Sequence, residues 1–357
     1  MFRVAVCGLS VLLIIGAIAI TGCCCCSSDV PKDKSVPVST GFTNPVQVSI
    51  VGYNGDVMEP FLSRDGNLLL FNNRNDPGAI TKLFYAKRIN STSFQFIGEI
   101  NSVNTGTLNG VPSLDRDNNL YFTSTRSYNT TFSTIYTGKF DDGSVKAISL
   151  VEGISKKQAP WVNMDSEISA DGRTLYYTEN QFDAGGSPQT SSICIADKIG
   201  GAMFRPCANS STIMRNVNAP GHLDYAPCTS ADQLQLYFTR ANLQDNDYQI
   251  MEATRSNTSE PFGTPGRIGS ITGNIKEAPT ISPDGNSLYY HMLDNGTYHL
   301  FMVKRNNHNI SENYHPASNF MNLPIMYANA VHKEVPAESR DIKKLRTCQL
   351  GVVSILL

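Results

Sequence analysis

The chain has 357 residues with 29 Lys and Arg against 31 Asp and Glu, so neither sign of charge dominates. A nucleic-acid partner asks for a basic face or a recognition helix, and the sequence offers neither a Lys/Arg run nor sustained helical periodicity, which disfavours that class. With 41% hydrophobic residues, the length suffices to bury one large core or one ring of repeated units.

Residues 1–22 carry one early charge, Arg3, and then an apolar run to Ile20 interrupted only by Cys7, Gly8, Ser10 and Gly16. This is a signal-peptide pattern, a little short for a membrane span. It ends in Ile20-Thr21-Gly22-Cys23, which resembles the bacterial lipoprotein box. The resemblance implies cleavage before Cys23, lipidation of its thiol, and a bacterial envelope protein held to a membrane by that lipid and facing the periplasm or the exterior. The alternative is an uncleaved anchor helix with Cys23 to Cys26 as a thiol cluster beside it. Four consecutive cysteines cannot converge on one tetrahedral ion, so no metal is expected there. Residues 23–44, rich in Ser, Pro, Lys, Asp and Thr, read as the lipidated start and a flexible tether.

One repeat-built domain is expected over residues 45–305. Residues 45–51 read as a lone strand, and five copies of one hairpin pattern follow. These are EPFLSRDGNLLLF (59–71), VPSLDRDNNLYF (111–122), DSEISADGRTLYY (165–177), APCTSADQLQLYF (226–238) and EAPTISPDGNSLYY (277–290). Each places a turn with a side-chain carboxylate between two short runs of β-formers. Their turn aspartates, Asp65, Asp117, Asp171, Asp232 and Asp284, are spaced by 52, 54, 61 and 52 residues, the period of propeller blades rather than of helical or leucine-rich repeats. The residues resemble the TolB-type Pro-Asp-Gly β-propeller repeat, a relative of the WD repeat. Asn118 and Gln233 depart from it at the turn glycine, and Ser166 at the leading proline. The resemblance implies an all-β propeller and leaves activity open, since that repeat occurs in scaffolds and in peptidase gating domains alike.

Third strands follow at KLFYAKR (82–88), STIYTGK (133–139), SICIADK (192–198), QIMEATR (249–255) and HLFMVKR (299–305). Fourth strands are expected at 94–100, 145–151 and 267–272. Four strands make one antiparallel blade. The fifth unit lacks its fourth strand, and pairing it with residues 45–51 closes a five-bladed ring with no open edge. Residues 306–357 are a C-terminal tail or a sixth, degenerate blade. Cys194 and Cys207 are candidates for a disulfide in an exported protein, with buried free thiols as the alternative. Six Asn-Xaa-Ser/Thr triplets, beginning at Asn90, Asn129, Asn209, Asn257, Asn295 and Asn309, are given no role.

In a propeller the loops entering first strands and leaving second strands share one face, around the channel mouth. Glu59, Asp165 and Glu277 stand at the entries; Arg74, Arg126 and Arg240 stand at the exits. Such a set suits a polar ligand; the alternative is ion pairs that hold blades together. The lone Trp161 is either a stacking platform or an apolar plug. Asp115-Arg116-Asp117 starts like a calcium loop, but Leu120 occupies the glycine position. The histidines lack metal spacing, and neither a nucleophile elbow nor a phosphate loop occurs, so no metal and no cofactor are expected. The expected function is that of a monomeric, non-enzymatic envelope lipoprotein whose propeller binds an envelope protein or a cell-wall glycan. The alternative is a glycoside hydrolase-like propeller that uses the mouth carboxylates.

Overall fold

Alternation along each Leu-Tyr-Phe run decides how the blades stack, because successive side chains of a strand face opposite sides. In the computed structural model, which describes residues 36–306 apart from 77–78, 184–185 and 243–246, the outer two residues of the run face the preceding blade. The middle one faces the next. Leu120 and Phe122 pack with Leu70 and Tyr85 of the blade before, whereas Tyr121 packs with Leu175 and Tyr177 of the blade after. Tyr176, Tyr237 and Tyr289 repeat the forward contact. The described residues therefore form five apolar layers, one per blade junction, beside two further apolar clusters around Tyr225 and Tyr128.

A leading segment holds β1 (Val38–Ser39), β2 (Val46–Gln47) and β3 (Ser49–Val51). Blade one is β4 (Met58–Leu62), β5 (Leu68–Asn72), β6 (Leu83–Asn90) and β7 (Ser93–Glu99). Blade two is β8 (Asn109–Leu114), β9 (Asn119–Ser124), β10 (Ile135–Asp141) and β11 (Ser144–Leu150), with a helical turn α1 (Tyr128–Thr131) after β9. Blade three is β12 (Trp161–Ile168), β13 (Thr174–Phe182), β14 (Pro188–Gly200) and β15 (Met203–Pro206), followed by α2 (Ser210–Ile213). Blade four is β16 (Leu223–Thr229), β17 (Gln235–Asn242), β18 (Asp247–Thr254) and β19 (Gly266–Ile268). Blade five is β20 (Lys276–Ile281), β21 (Ser287–Asp294) and β22 (Thr297–Lys304), completed by β2. The innermost strands touch in cyclic order, β4 with β8, β12, β16, β20 and back to β4, so the five blades close a ring.

Closure differs in detail from a single N-terminal strand. β2 pairs antiparallel with β22, Val46 opposite Met302. Val48 still donates its N–H to the Leu300 carbonyl, after which β3 runs parallel with β7 of blade one, while β1 runs parallel with β19 of blade four. One segment thus ties three blades. The tether reading of 23–44 is corrected from Val36 onward, because Val38 and Ser39 satisfy backbone groups of an otherwise open edge. The expectations for Cys23, for residues 1–22 and for the tail beyond Asn306 fall outside the described residues.

The turn signature forms in all five copies. Ser63, Ser169, Ser230 and Ser282 donate to Asp65, Asp171, Asp232 and Asp284. The fourth turn residue takes φ near +60° to +76° at Gly66, Asn118, Gly172, Gln233 and Gly285. Asn118 and Gln233 accept the left-handed conformation, so the turn type survives the loss of glycine. In blade two Asp115 replaces the serine and accepts from the backbone N–H of Asp117 and Asn119; what looked like the start of a calcium loop is a turn.

The basic residue ending each third strand completes the rim. Arg88, Arg255 and Arg305 donate through Nε to the carbonyls of Gly66, Gln233 and Gly285, and Lys139 reaches that of Asp117. Their far ends meet the forward tyrosine of the preceding blade: Arg255 bonds the Tyr176 hydroxyl at 2.8 Å, Lys198 that of Tyr121 at 3.2 Å, and Arg305 that of Tyr237. Blade one has Leu70 in place of the tyrosine.

Cys194 and Cys207 are free. Cys194 packs into the layer between blades two and three, and Cys207 against the layer between blades three and four. The two thiols stand on opposite faces of one sheet, which corrects the expected disulfide.

Candidate functional site at the axis

Every first strand carries a bulge where it reaches the axis, visible as a slip in register against its partner. The residue at the slip adopts a left-handed backbone in all five blades: Glu59 (φ 50°), Val111 (52°), Asp165 (51°), Ala226 (48°) and Ala278 (53°). None is glycine, so each costs on the order of 1–3 kcal/mol and needs outside support. The support comes from the blade before. The Glu59 N–H donates to His291 Nδ1 at 3.1 Å, that of Val111 to Asn72 Oδ1 at 3.0 Å, and that of Ala278 to Thr239 Oγ1 at 3.0 Å. The Ala226 N–H reaches Asp165 Oδ2 at 3.4 Å, and Thr178 Oγ1 donates to the same oxygen at 3.0 Å.

The next residue is Pro60, Pro112, Ser166, Pro227 or Pro279. Just beyond it comes a second ring of contacts between blades: Leu62 N–H to Thr280 Oγ1, Ile168 N–H to Ser113 Oγ, Thr229 N–H to Glu167 Oε1 and Ile281 N–H to Cys228 Sγ. Between these rings lies an axial cavity of about 30 Å³.

Three carboxyls meet at the upper ring. Glu59 and Asp165 line the cavity, and both are buried, at 9% and 7% exposure. Glu277 is one residue out of step, aligned with Met58 and Tyr225 rather than with Glu59. It nevertheless lies close enough to raise the proton affinity of both others. Burial, then Asp165 and Glu277, push Glu59 well above the usual carboxyl range, against a weaker pull from a hydrogen bond with Asn75. Burial lifts Asp165 to about 6, opposed by the bonds from Thr178 and Ala226. Neither has a cationic partner among the described residues. Glu277 accepts from the Tyr225 hydroxyl and sits 3.3 Å from His291 Nε2. Since His291 Nδ1 accepts the Glu59 N–H, the ring proton is assigned to Nε2, which donates to Glu277.

The arginines do not join them. Arg74 clamps Asp56 with two bonds of 2.9 and 3.1 Å and reaches the Gly296 carbonyl of blade five. Arg126 donates to Ser124, Asn109 and the Val103 carbonyl. Arg240 pairs with buried Asp224 at 2.7 Å and also reaches the Val217 carbonyl. All three are spent on holding loops and blades. Half-buried Trp161 begins β12, with Lys156 Nζ 3.2 Å from its ring centroid, and that lysine pairs with Glu179 at 3.0 Å.

Sequence reasoning missed Tyr225, the Arg64–Glu167 pair (2.9 Å) and the bulge itself. The signal for the bulge was present: an Xaa-Pro step at one position of four blades, incompatible with an unbroken central strand.

No protein-family model matches the sequence, and no curated protein matches it. Among solved structures, a glycoside hydrolase is similar over 78% of this chain and 95% of its own at 12% identity, with TM-score 0.54. A thermostable family-43 glycoside hydrolase is similar over 77% of this chain and 100% of its own at 13% identity, with TM-score 0.47. TolB from Acinetobacter baumannii is similar over 70% of this chain at 14% identity and TM-score 0.40, and this chain spans 55% of its length. The fold is that of a β-propeller. At these identities the likenesses concern architecture alone, and the TolB-type resemblance rests on the repeat residues.

Proposed function

We propose that the protein cleaves or binds a glycan at the axial mouth, with Glu59 as proton donor and Asp165 as base, and that it does so at the cell envelope, attached through Cys23. The observation that carries this reading is the pair itself: two buried carboxyls without a cationic partner among the described residues, Glu59 pushed well above the usual carboxyl range by burial and its acidic neighbours, and Asp165 lifted to about 6 by burial. Groups whose environments separate their proton affinities in this way are suited to paired acid and base work. In the hydrolytic step Glu59 passes its proton to the glycosidic oxygen as the bond to the anomeric carbon breaks. Asp165 takes a proton from the water whose oxygen bonds that carbon, and solvent returns the carboxyls to their starting states. The propeller fold shared with a glycoside hydrolase is compatible with this reading.

A second reading, a non-enzymatic binding scaffold, is favoured by the cavity size, since about 30 Å³ admits a water or two and not a sugar ring. Reducing-end release from a panel of envelope and plant glycans separates the two. Turnover by the wild type that vanishes in Glu59→Gln and Asp165→Asn supports hydrolysis. Capture of a glycan on an array with no release in any variant moves the function to binding.

A further inference from the structure

Ser166 is the one residue of its layer that is not proline. It is 2% exposed, lines the axial cavity, and its hydroxyl has no hydrogen-bond partner. A buried hydroxyl left unmatched is destabilising, and the repeat offers a ready replacement that would remove the cost. Two further orphan atoms belong to the same inter-blade layer or contact its carboxyls. Asn75, which hydrogen-bonds Glu59, has its Oδ1 buried and unmatched. Thr123 Oγ1, likewise unmatched, occupies the position whose counterparts in other blades serve the bulge residues. Both bonds to Asp165 fall on Oδ2, and Oδ1 makes none among the described residues.

We infer that the axial cavity is a built site for one water, held by Ser166 Oγ between the carboxyls of Glu59 and Asp165, which carries protons between them. The volume fits. A site needs roughly 10–15 Å³ and two to four polar partners to hold a water, and the cavity offers about 30 Å³ with Ser166, Asp165 and Glu59 on its wall. The donor and acceptor balance fits as well. A protonated Glu59 donates to the water oxygen, the water donates to Asp165 Oδ1, and Ser166 takes either role by rotating its hydroxyl. Passing a proton through the water between Glu59 and Asp165, in either direction, leaves the total charge unchanged. Ser166 is thus a positioning residue. This inference concerns the site of the proposed chemistry but needs no turnover to be tested.

The test uses Ser166→Pro, which restores the repeat and fills the space, and Ser166→Ala, which keeps the space and removes the hydroxyl. In the full chain with 13C-carboxyl aspartate, assigned by Asp165→Asn, the Asp165 midpoint should rise by roughly half a unit to one unit in both variants, because a hydrogen bond to the carboxylate is lost. High-resolution crystals should show a water on Ser166 Oγ in the wild type and none in Ser166→Pro. Thermal unfolding reports on the fold, and if the proline variant fails to fold the alanine variant decides. A dry wild-type cavity, or an Asp165 midpoint unchanged in the folded variants, overturns the inference. Absence of glycan cleavage leaves it standing.

Discussion

The rim of hairpin turns and the axial ring are built from the same five strand pairs, yet they obey opposite rules. The rim repeats its polar partnerships from blade to blade: serine to aspartate, arginine to turn carbonyl, tyrosine to arginine. Departures there, such as Asn118 and Gln233, keep the same backbone. At the axis the backbone repeats with equal fidelity, each bulge within 48–53° of φ, but the side chains diverge. Blades two, four and five present Val111, Ala226 and Ala278, while blades one and three present Glu59 and Asp165. Repetition of the backbone with divergence of side chains at one layer separates what holds a fold from what is free to carry chemistry.

The largest expected effect tests whether the mouth arginines belong to the first group. Arg240→Ala strands the buried Asp224 carboxylate and should cost about 3–5 kcal/mol in denaturant unfolding. A loss under about 1 kcal/mol would return Arg240 to the recognition surface. Next, Tyr176→Phe removes the rim bond from Arg255 and should cost about 1–3 kcal/mol, since one partner is charged; a neutral outcome would make the clamp ornamental.

Smaller in size but sharper in meaning is the pH profile. Glu59 and Asp165 have folded values above their unfolded ones, so the folded state holds more protons. Their contribution to stability is present below about pH 4 and is lost as pH rises, through about 6 for Asp165 and through a value above the usual carboxyl range for Glu59. The rim behaves inversely. Burial pushes Asp65, Asp171 and Asp284 up, but hydrogen bonds from Ser63, Ser169, Ser282 and the turn backbone outweigh it and hold them low. That contribution is lost as pH falls below about 4. Glu59→Gln should therefore raise the melting temperature at pH 8 by a few degrees, on the order of 1 kcal/mol, with less effect at pH 4. A variant equally stabilised at both would place the cost of Glu59 in packing rather than charge. Smallest of all, Asn118→Gly should change stability by no more than about 0.5 kcal/mol, because asparagine already tolerates the left-handed turn.

These differences also explain what could be read beforehand. The blade count, the turns and the third strands were legible because they depend on local chemistry repeated five times, Asp-Gly and Leu-Tyr-Phe above all. The convergence of Glu59, Asp165 and Glu277 was legible from ring symmetry, although Glu277 arrives from a neighbouring register. The fate of Arg74, Arg126 and Arg240 was not, because their partners Asp56, Asn109 and Asp224 stand outside the repeated motif. Nor was the branching of residues 36–51 among three blades, since two- and three-residue strands carry too little pattern.

That branching sets an order of events. β3 can meet β7 once residue 99 has been made, but β2 has to wait for Met302, more than 250 positions later, and β1 for Ile268. The first strands of the domain to leave the ribosome are the last to find their place. Until then blades one to four form an open stack whose two end blades expose the apolar faces that blade five later covers. Such late, long-range closure is slow, and the interval before it is the time of greatest exposure to aggregation. The segment from Val36 to Val51 is thus also the latch of the ring, so a pull applied at its start would be felt first at β1, where it runs parallel with β19 of blade four.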